Sequence, residues 1–345
     1  MIKLQRNRNK KMPAFAGPLM AVVLLAIILT IVSDRFLSLA NIMNILRQTS
    51  INALIALGML MVMLTGGIDL SVGSVCVLTG CVMGVLMKNG VNNDLVLILA
   101  GLSTGLFAGT VNALLYTQLE LPHPFVSTMG TRMIFRGLAL LITGAAPIAG
   151  FSSVILYMGY NNIATVIPAC FLLVIVLFAA IDVFLNKTAL GRKIYSVGGN
   201  REAARLSGIN VKRTLNFSYI MSGCMSAVAG IVLLGRISTA HPASGETYDM
   251  DAIASCVVGG TSFLGGKGTV AGTLAGAMLI GVINNGLDLL GAQTDYKMLV
   301  IGAVIVGAVY LDVVRNKAEE KARRLAQARA MNEQQGEKYA EYEHC

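Results

Sequence analysis

The sequence predicts an all-α transmembrane bundle of eight to ten segments, including short broken or re-entrant helices, with both termini in the cytoplasm. Three observations predict it. The 345 residues are 55% apolar and 13% charged, with 37 glycines and a mean hydropathy of +0.70, far from soluble-domain usage. Apolar runs of membrane length recur along the chain. Basic residues gather in the short stretches that alternate runs share.

A bilayer core of roughly 30 Å asks for about 20 apolar residues per helix. That ruler marks ten segments: 14–33, 44–65, 70–87, 95–116, 125–143, 163–185, 215–236, 250–263, 269–290 and 297–314. The third and eighth are short with glycine-rich ends, the pattern of broken or re-entrant elements. The first follows Lys3, Arg6, Arg8, Lys10 and Lys11. Its apolar run of about 20 residues exceeds the roughly 7–15 of a secretory signal, and Ser33-Asp34-Arg35-Phe36 offers no small-residue cleavage site, so it is expected to be retained. The chain divides into a basic cytoplasmic N-terminus (1–13), a membrane domain (14–314) and a charged cytoplasmic tail (315–345) of mixed sign with helix-forming alanine-rich stretches.

Basic residues also set the orientation. With the N-terminus inside, ten segments place the loop 186–214 and the tail inside, with Lys187, Arg192, Lys193, Arg201, Arg205, Lys212 and Arg213, then Arg315, Lys317, Lys321, Arg323 and Arg324. The outside then holds 144–162, which has no charge, and 237–249, which has Glu246 and Asp249. The net charge of +9 resides in these flanks, and nucleic acid is not an expected partner.

Several chemistries lack their residues. Cys76, Cys81, Cys170, Cys224 and Cys256 lie in apolar segments, Cys345 ends the chain, and no pair has C-x-x-C spacing. His123, His241 and His344 are far apart in sequence, so no metal is expected. In Gly259-Gly260-Thr261-Ser262-Phe263-Leu264-Gly265-Gly266-Lys267-Gly268, a phosphate loop would need glycine at 261 and a hydroxyl at 268. Both positions fail, and any nucleotide must bind another chain. No stretch is large enough for a soluble catalytic domain, and no nucleophile, base and cofactor motif occur together.

The break Thr65-Gly66-Gly67-Ile68-Asp69-Leu70-Ser71-Val72-Gly73-Ser74 separates the second and third segments. Irregular backbone at membrane depth survives only where protein or a watery cavity satisfies it. A carboxylate at a helix centre costs about 2.5–3.5 kcal/mol on insertion scales, so Asp69 must face protein or water. Asp69, Ser71 and Ser74 are candidates to line a conduit or brace a gate; alternatively Asp69 caps the helix that starts near Leu70.

Further pathway or gate candidates are polar residues inside apolar segments: Gln48, Asn52, Asn112, Thr128, Arg136, Asn284, Asn285 and Asp288. Thr49, Ser50, Ser127 and Arg132 accompany them. Arg132 and Arg136 are i,i+4 and share a helix face. Buried inter-helix hydrogen bonds are the competing account for each, and snorkelling is another for Arg132. The 18 methionines, Met59, Met61 and Met63 among them, suit adaptable packing, and with no tryptophan the tyrosines must supply the interfacial belt.

Within the loop 186–214, Asn200 is placed to cap a helix starting at Arg201, Glu202 lies in its first turn, and Gly208 ends it. This two-turn helix would lie on the cytoplasmic face, with Ala203, Ala204 and Leu206 as a small apolar patch for another protein's groove. A plain interfacial loop is the alternative.

The run Gly191-Arg192-Lys193-Ile194-Tyr195-Ser196-Val197-Gly198-Gly199-Asn200-Arg201-Glu202-Ala203-Ala204-Arg205-Leu206-Ser207-Gly208-Ile209 resembles the coupling segment of ATP-binding-cassette sugar permeases of the ribose type. Gly67-Ile68-Asp69-Leu70-Ser71-Val72-Gly73-Ser74 is similar to that family's hallmark. So are Met250-Asp251-Ala252-Ile253-Ala254 with Val258-Gly259-Gly260-Thr261-Ser262, Gly265-Gly266-Lys267-Gly268-Thr269, and Asn284-Asn285-Gly286-Leu287. The resemblance spans residues 36 to 312, and the longer charged tail departs from it. It implies a multi-pass permease of the bacterial inner membrane, two copies of which form the pathway as a homo- or heterodimer. It also implies a cytoplasmic ATPase of two fused cassettes, which holds ATP and Mg, and an extracytoplasmic sugar-binding protein. This chain itself would bind no cofactor. Gly199, Asn200, Glu202, Ala203, Ala204, Leu206 and Gly208 would form the ATPase contact, and 144–162 and 237–249 would meet the binding protein.

The expected function is inward movement of ribose or a related pentose or hexose by alternating access. Rival readings are a permease of the same superfamily for branched-chain amino acids or nucleosides, and an ion-coupled transporter using Asp69, Asp288 and the arginines.

Overall fold

A computed structural model of the chain describes residues 15–119, 121, 123–163, 167–293, 295–310, 312–314 and 317. The basic N-terminus 1–13 and, Lys317 apart, the tail 315–345 lie outside the described residues. The helices are α1 (Ala16–Val32), α2 (Leu39–Met63), α3 (Val72–Lys88), α4 (Asp94–Thr117), α5 (Pro124–Thr143), α6 (Ser153–Tyr160), α7 (Ala169–Lys187), α8 (Ala189–Gly199), α9 (Arg201–Leu206), α10 (Val211–Ile237), α11 (Tyr248–Val258), α12 (Val270–Leu289) and α13 (Asp295–Val314). Among the described residues the strands are four two-residue pieces, β1 (Ile148–Ala149) paired with β4 (Thr239–Ala240) and β2 (Asn162–Ile163) with β3 (Ile167–Pro168), so the architecture is all-α.

By length and composition, α2, α4, α5, α7, α10, α12 and α13 can cross a membrane, and α1 and α3 are shorter apolar helices of 17 residues each. The candidate segment 250–263 is no full-length membrane helix, as its shortness and glycine-rich end predict. Its helix α11 has 11 residues, about 16 Å, and gives way to Gly259 and to Gly260 at φ 88°. Side-chain caps start several of the long helices. Ser38 accepts from the Asn41 amide at α2, Asn93 from Leu95 and Val96 at α4, Asn210 from Arg213 at α10 and Thr269 from Gly272 at α12.

The bundle is built around α2, whose residues 49–63 are all buried. It packs against α10 on one side and α11 and α12 on another; α10 in turn covers α3, α4 and α6. The α4–α10 crossing is a backbone contact. A Cβ at Gly105 would lie 2.4 Å from the Gly223 carbonyl oxygen, and one at Gly223 would lie 2.3 Å from the Gly105 oxygen. Small residues permit this approach, which supplies dispersion contacts where lipid gives helices no hydrophobic drive.

The turns segregate to two faces. Antiparallel pairing of Ile148 with Ala240 brings the 144–152 and 238–247 turns together on one, the hairpin face. At the other end of α3, the turns at 64–67, 197–200 and 259–268 meet on what we term the basic face. The loop 186–214 is more ordered than its composition suggested. Thr188 caps α8 by accepting from the Gly191 amide at 3.0 Å, and Asn200 caps α9 by accepting from the Ala203 amide at 2.9 Å.

Candidate functional site

The break between α2 and α3 is a hydrogen-bonded hub. Gly66 turns the chain at φ 75°, and Asp69 comes to rest 1% exposed. Its carboxylate accepts from the Ser71 amide at 3.0 Å, the Ser71 hydroxyl at 2.7 Å, the Ser222 hydroxyl of α10 at 2.8 Å and the Asn112 amide of α4 at 3.4 Å. Asn112 also donates to Ser71 Oγ at 2.7 Å and accepts from Thr131 of α5 at 2.6 Å. One carboxylate therefore gathers donors from the break, α4 and α10, with α5 joined through Asn112. Only one of these bonds is a backbone cap, so Asp69 caps the turn before α3 and ties helices at once. Its oxygens are enclosed by protein donors.

Sequence reasoning found Asp69, Ser71 and Asn112 and missed Ser222 and Thr131. A signal existed for Ser222: Ser218, Ser222 and Ser226 recur every fourth position of α10, and all three are buried. Ser74 donates to the Ser71 carbonyl at 2.7 Å, and Thr128 to the Pro124 carbonyl at 2.9 Å and to that of Ile68 at 3.4 Å. Both are packing groups in this conformation.

A second polar seam runs where α2, α11 and α12 meet. Asn41 and Asn285 exchange amide bonds at 2.9 and 2.8 Å, and Asn52 donates to Ser255 of α11 at 2.8 Å. Asp251 is buried on α11, and Asn284 on α12 and Gln48 on α2 are half-buried. Among the described residues, Thr49 Oγ1, Asn52 Oδ1 and Asp251 Oδ1 are buried without a hydrogen-bond partner. Such atoms cost about 1–3 kcal/mol each when left unpaired, which marks the seam as a place for water or a hydroxylated solute. Asp288 lies at the far end of α12 in an ion pair with Lys297.

The arginines of α5 point elsewhere. Arg132 pairs with Asp249 at 3.2 Å and donates to the Glu246 carbonyl at 3.0 Å; Arg136 donates to the carbonyls of Pro242 and Ser244 at 2.8 and 2.5 Å. The shared face expected from i,i+4 spacing is real. It bolts α5 to the turn before α11 and to that helix's first turn, where Gly245 and Asp249 pack on Gly73 of α3, and it does not snorkel.

On the basic face, α9 stands out from the bundle. Leu206 is 78% exposed and Ala203 is exposed, whereas Ala204 is 4% exposed and packs with Val197 and Leu215 of the same chain. The apolar patch expected from Ala203, Ala204 and Leu206 is thus divided, because a helix of two turns must rest one side on its own scaffold. Glu202 and Arg205 pair across one turn at 2.6 Å, and that bond holds the Glu202 carboxyl below its usual range. Gly199 ends α8, where a side chain would meet open space although its backbone abuts Gly266, and Gly208 follows α9 at φ 79°. Among the described residues, no three His, Cys, Asp or Glu side chains are placed to hold a metal ion.

Comparison with known proteins accords with this arrangement. The family model described as branched-chain amino acid transport system / permease component matches residues 41–309. The chain is 42% identical over 299 residues to the ribose import permease protein RbsC of Bacillus subtilis, covering 86% of this chain and 92% of that one. It is 40% identical to the Escherichia coli K12 protein of the same name (85% and 92% covered) and 38% identical to the D-allose transport system permease protein AlsC of that strain (86% and 90%). No solved structure gives a significant match. A multi-pass helical bundle with two turn-bearing faces is the architecture such a component needs, and the chain belongs to the branched-chain amino acid transport system / permease component family, among its ribose-type sugar import permeases.

Proposed function

We propose that this chain moves ribose or a closely related monosaccharide inward by alternating access, as one of two permease copies served by a two-cassette ATPase and an extracytoplasmic sugar-binding protein. The observation that carries the reading is the 42% identity to a ribose import permease over 92% of that protein's length. The geometry supports it. The basic face, rich in Arg192, Lys193, Arg201, Arg205, Lys212 and Arg213, is assigned to the cytoplasm by the excess of positive charge. There α9 offers Ala203 and Leu206 to the ATPase. The hairpin face meets the binding protein.

In this scheme the seam of Thr49, Asn52, Asp251 and Asn284 forms part of the polar wall met by sugar hydroxyls, whose donors match its open acceptor atoms. The Asp69 hub acts as a joint beside that wall. Passage demands weak binding, because a tight site would trap sugar already captured outside. Calorimetry on the detergent-purified permease alone should show no tight sugar binding.

Reconstitution with the partner ATPase and binding protein, followed by uptake measurements with ribose, allose and galactose, tests the assignment. ATP-dependent ribose uptake is expected. Uptake driven by an ion gradient without the ATPase would replace this reading with the ion-coupled one.

A further inference from the structure

Three turns distant in sequence meet main chain to main chain on the basic face. The Gly266 amide donates to the Leu64 carbonyl at 2.9 Å. A Cβ on Gly198 would fall 1.8 Å from that same carbonyl oxygen and 2.5 Å from the Gly266 nitrogen. Gly265, at φ 84°, could carry a Cβ only 2.7 Å from the Gly66 nitrogen and 2.9 Å from the Gly198 oxygen. Where side chains separate two elements, rotamer changes absorb small displacements. Here backbone abuts backbone, so the contact has little compliance.

Side chains then lash the same three turns together. The Tyr195 hydroxyl of α8 donates to the Gly268 carbonyl at 3.0 Å. Arg201, the first residue of α9, donates to the Thr65 carbonyl at 3.4 Å and to the Tyr116 hydroxyl of α4 at 2.5 Å. Its guanidinium carbon lies 5.6 Å from the Tyr116 ring centroid, within cation–π range. Tyr116 packs on Tyr219 of α10 with centroids 5.9 Å apart, and the Tyr219 hydroxyl donates to the Ile68 carbonyl at 3.4 Å, one residue before Asp69. The turn at 259–268 is braced by the Ser262 amide donating to the Lys267 carbonyl at 2.9 Å.

We propose that this glycine junction is a rigid transmission joint by which α8 and α9 move the α2–α3 break and the α11 half-helix as one body, with Tyr195 and Arg201 as its positioning residues. The inference rests on the reading of α9 as the ATPase contact. Its two outputs are the places where the membrane ladder is interrupted: the break that carries the Asp69 hub, and the turn that ends the half-helix carrying Asp251. An interrupted helix bends more readily than a continuous one, so a displacement at α9 is converted into movement at the hub and the seam together. Tyr195 sets the link to the α11 turn and Arg201 the link to the break. Neither needs to touch sugar or nucleotide.

The test uses the complete importer in proteoliposomes, with sugar uptake and ATP hydrolysis measured in parallel on Tyr195→Phe, Arg201→Ala, Arg201→Lys and, as a docking control, Leu206→Glu. Tyr195→Phe is nearly isosteric and preserves the fold. The joint predicts that Tyr195→Phe and Arg201→Ala retain the ATPase on co-purification and unfold near the wild-type temperature, while sugar moved per ATP falls about fivefold, on the scale of one lost hydrogen bond. Arg201→Lys should restore part of the ratio. An unchanged ratio in both Tyr195→Phe and Arg201→Ala overturns the joint. Leu206→Glu reports separately on docking: if it captures the ATPase as well as wild type, the α9 assignment fails, whatever the ratio does in the other variants.

Discussion

The Ser222 hydroxyl of α10 donates to Asp69 Oδ2 at 2.8 Å, joining a helix to a break 153 positions earlier in the chain. It is one of several donors on a carboxylate that is sealed from lipid and from water. The charge is tolerable there because the hydroxyls and amide replace its hydration. Removing either side of such a bond leaves the other unpaired.

Asp69→Ala should therefore lower stability by about 1–3 kcal/mol, as the donors of Ser71, Asn112 and Ser222 lose their acceptor together. Ser222→Ala should cost less, since it strands Oδ2 alone while Oδ1 keeps the Ser71 and Asn112 donors. Thermal unfolding in detergent and sugar uptake check both. Wild-type values for Asp69→Ala would make the hub dispensable.

The glycines divide into two groups with opposite expectations. Gly105→Ala drives its Cβ to 2.4 Å from both the Ala227 Cβ and the Gly223 oxygen, so α4 and α10 must separate, and a loss of about 1–3 kcal/mol is expected. Gly130→Ala and Gly137→Ala on α5 meet nothing within 4 Å and should leave the unfolding midpoint of the protomer unchanged or slightly raised. Equal midpoints for all three would contradict the α4–α10 backbone contact.

Arg132 and Asp249 should couple. Arg132→Gln strands a buried carboxylate, whereas pairing that change with Asp249→Asn removes the charge as well, so the double variant should be more stable than the sum of singles predicts. A coupling energy of about 0.5–3 kcal/mol from unfolding midpoints is expected. Strict additivity would mean that the two groups do not interact in the membrane.

Charged substitutions along α9 should separate fold from docking. Ala204→Glu buries a carboxylate against Val197 and Leu215 and should destabilise the protein, whereas Ala203→Glu should leave the unfolding midpoint intact and weaken ATPase capture. Co-purification of the ATPase beside a melting curve distinguishes them. Reduced capture with normal stability in Ala204→Glu would place Ala204 back on the docking surface.

Much of this was legible in the chain. The long apolar runs, the short third and eighth segments, the Asn200 cap with its two-turn helix and the ordered motifs all follow from local patterns, since periodicity and capping chemistry act within a few residues. What local pattern does not carry is partnership. The polarity of Asn112 was plain, but not that it joins Asp69, Ser71 and Thr131; the shared face of Arg132 and Arg136 was plain, but not that it reaches carbonyls of a turn more than 100 residues away. Segment 250–263 held enough apolar residues to be counted, and its shortness was plain; Tyr248 and Gly259 bound a helix that covers only part of the passage between the two faces.

The sequence by itself determined that this is a multi-pass helical membrane protein with interrupted segments and a capped helix in its basic loop, because length, hydropathy and charge placement are properties of segments. Only the tertiary structure decided which face of α9 is free, which oxygens of the α2–α11–α12 seam lack partners, and that Gly66, Gly198 and Gly265 form one junction. Those depend on which elements pack together and, at the glycine junction, on backbones so close that no Cβ fits between them, a choice made by the packing of the whole bundle and by no segment alone.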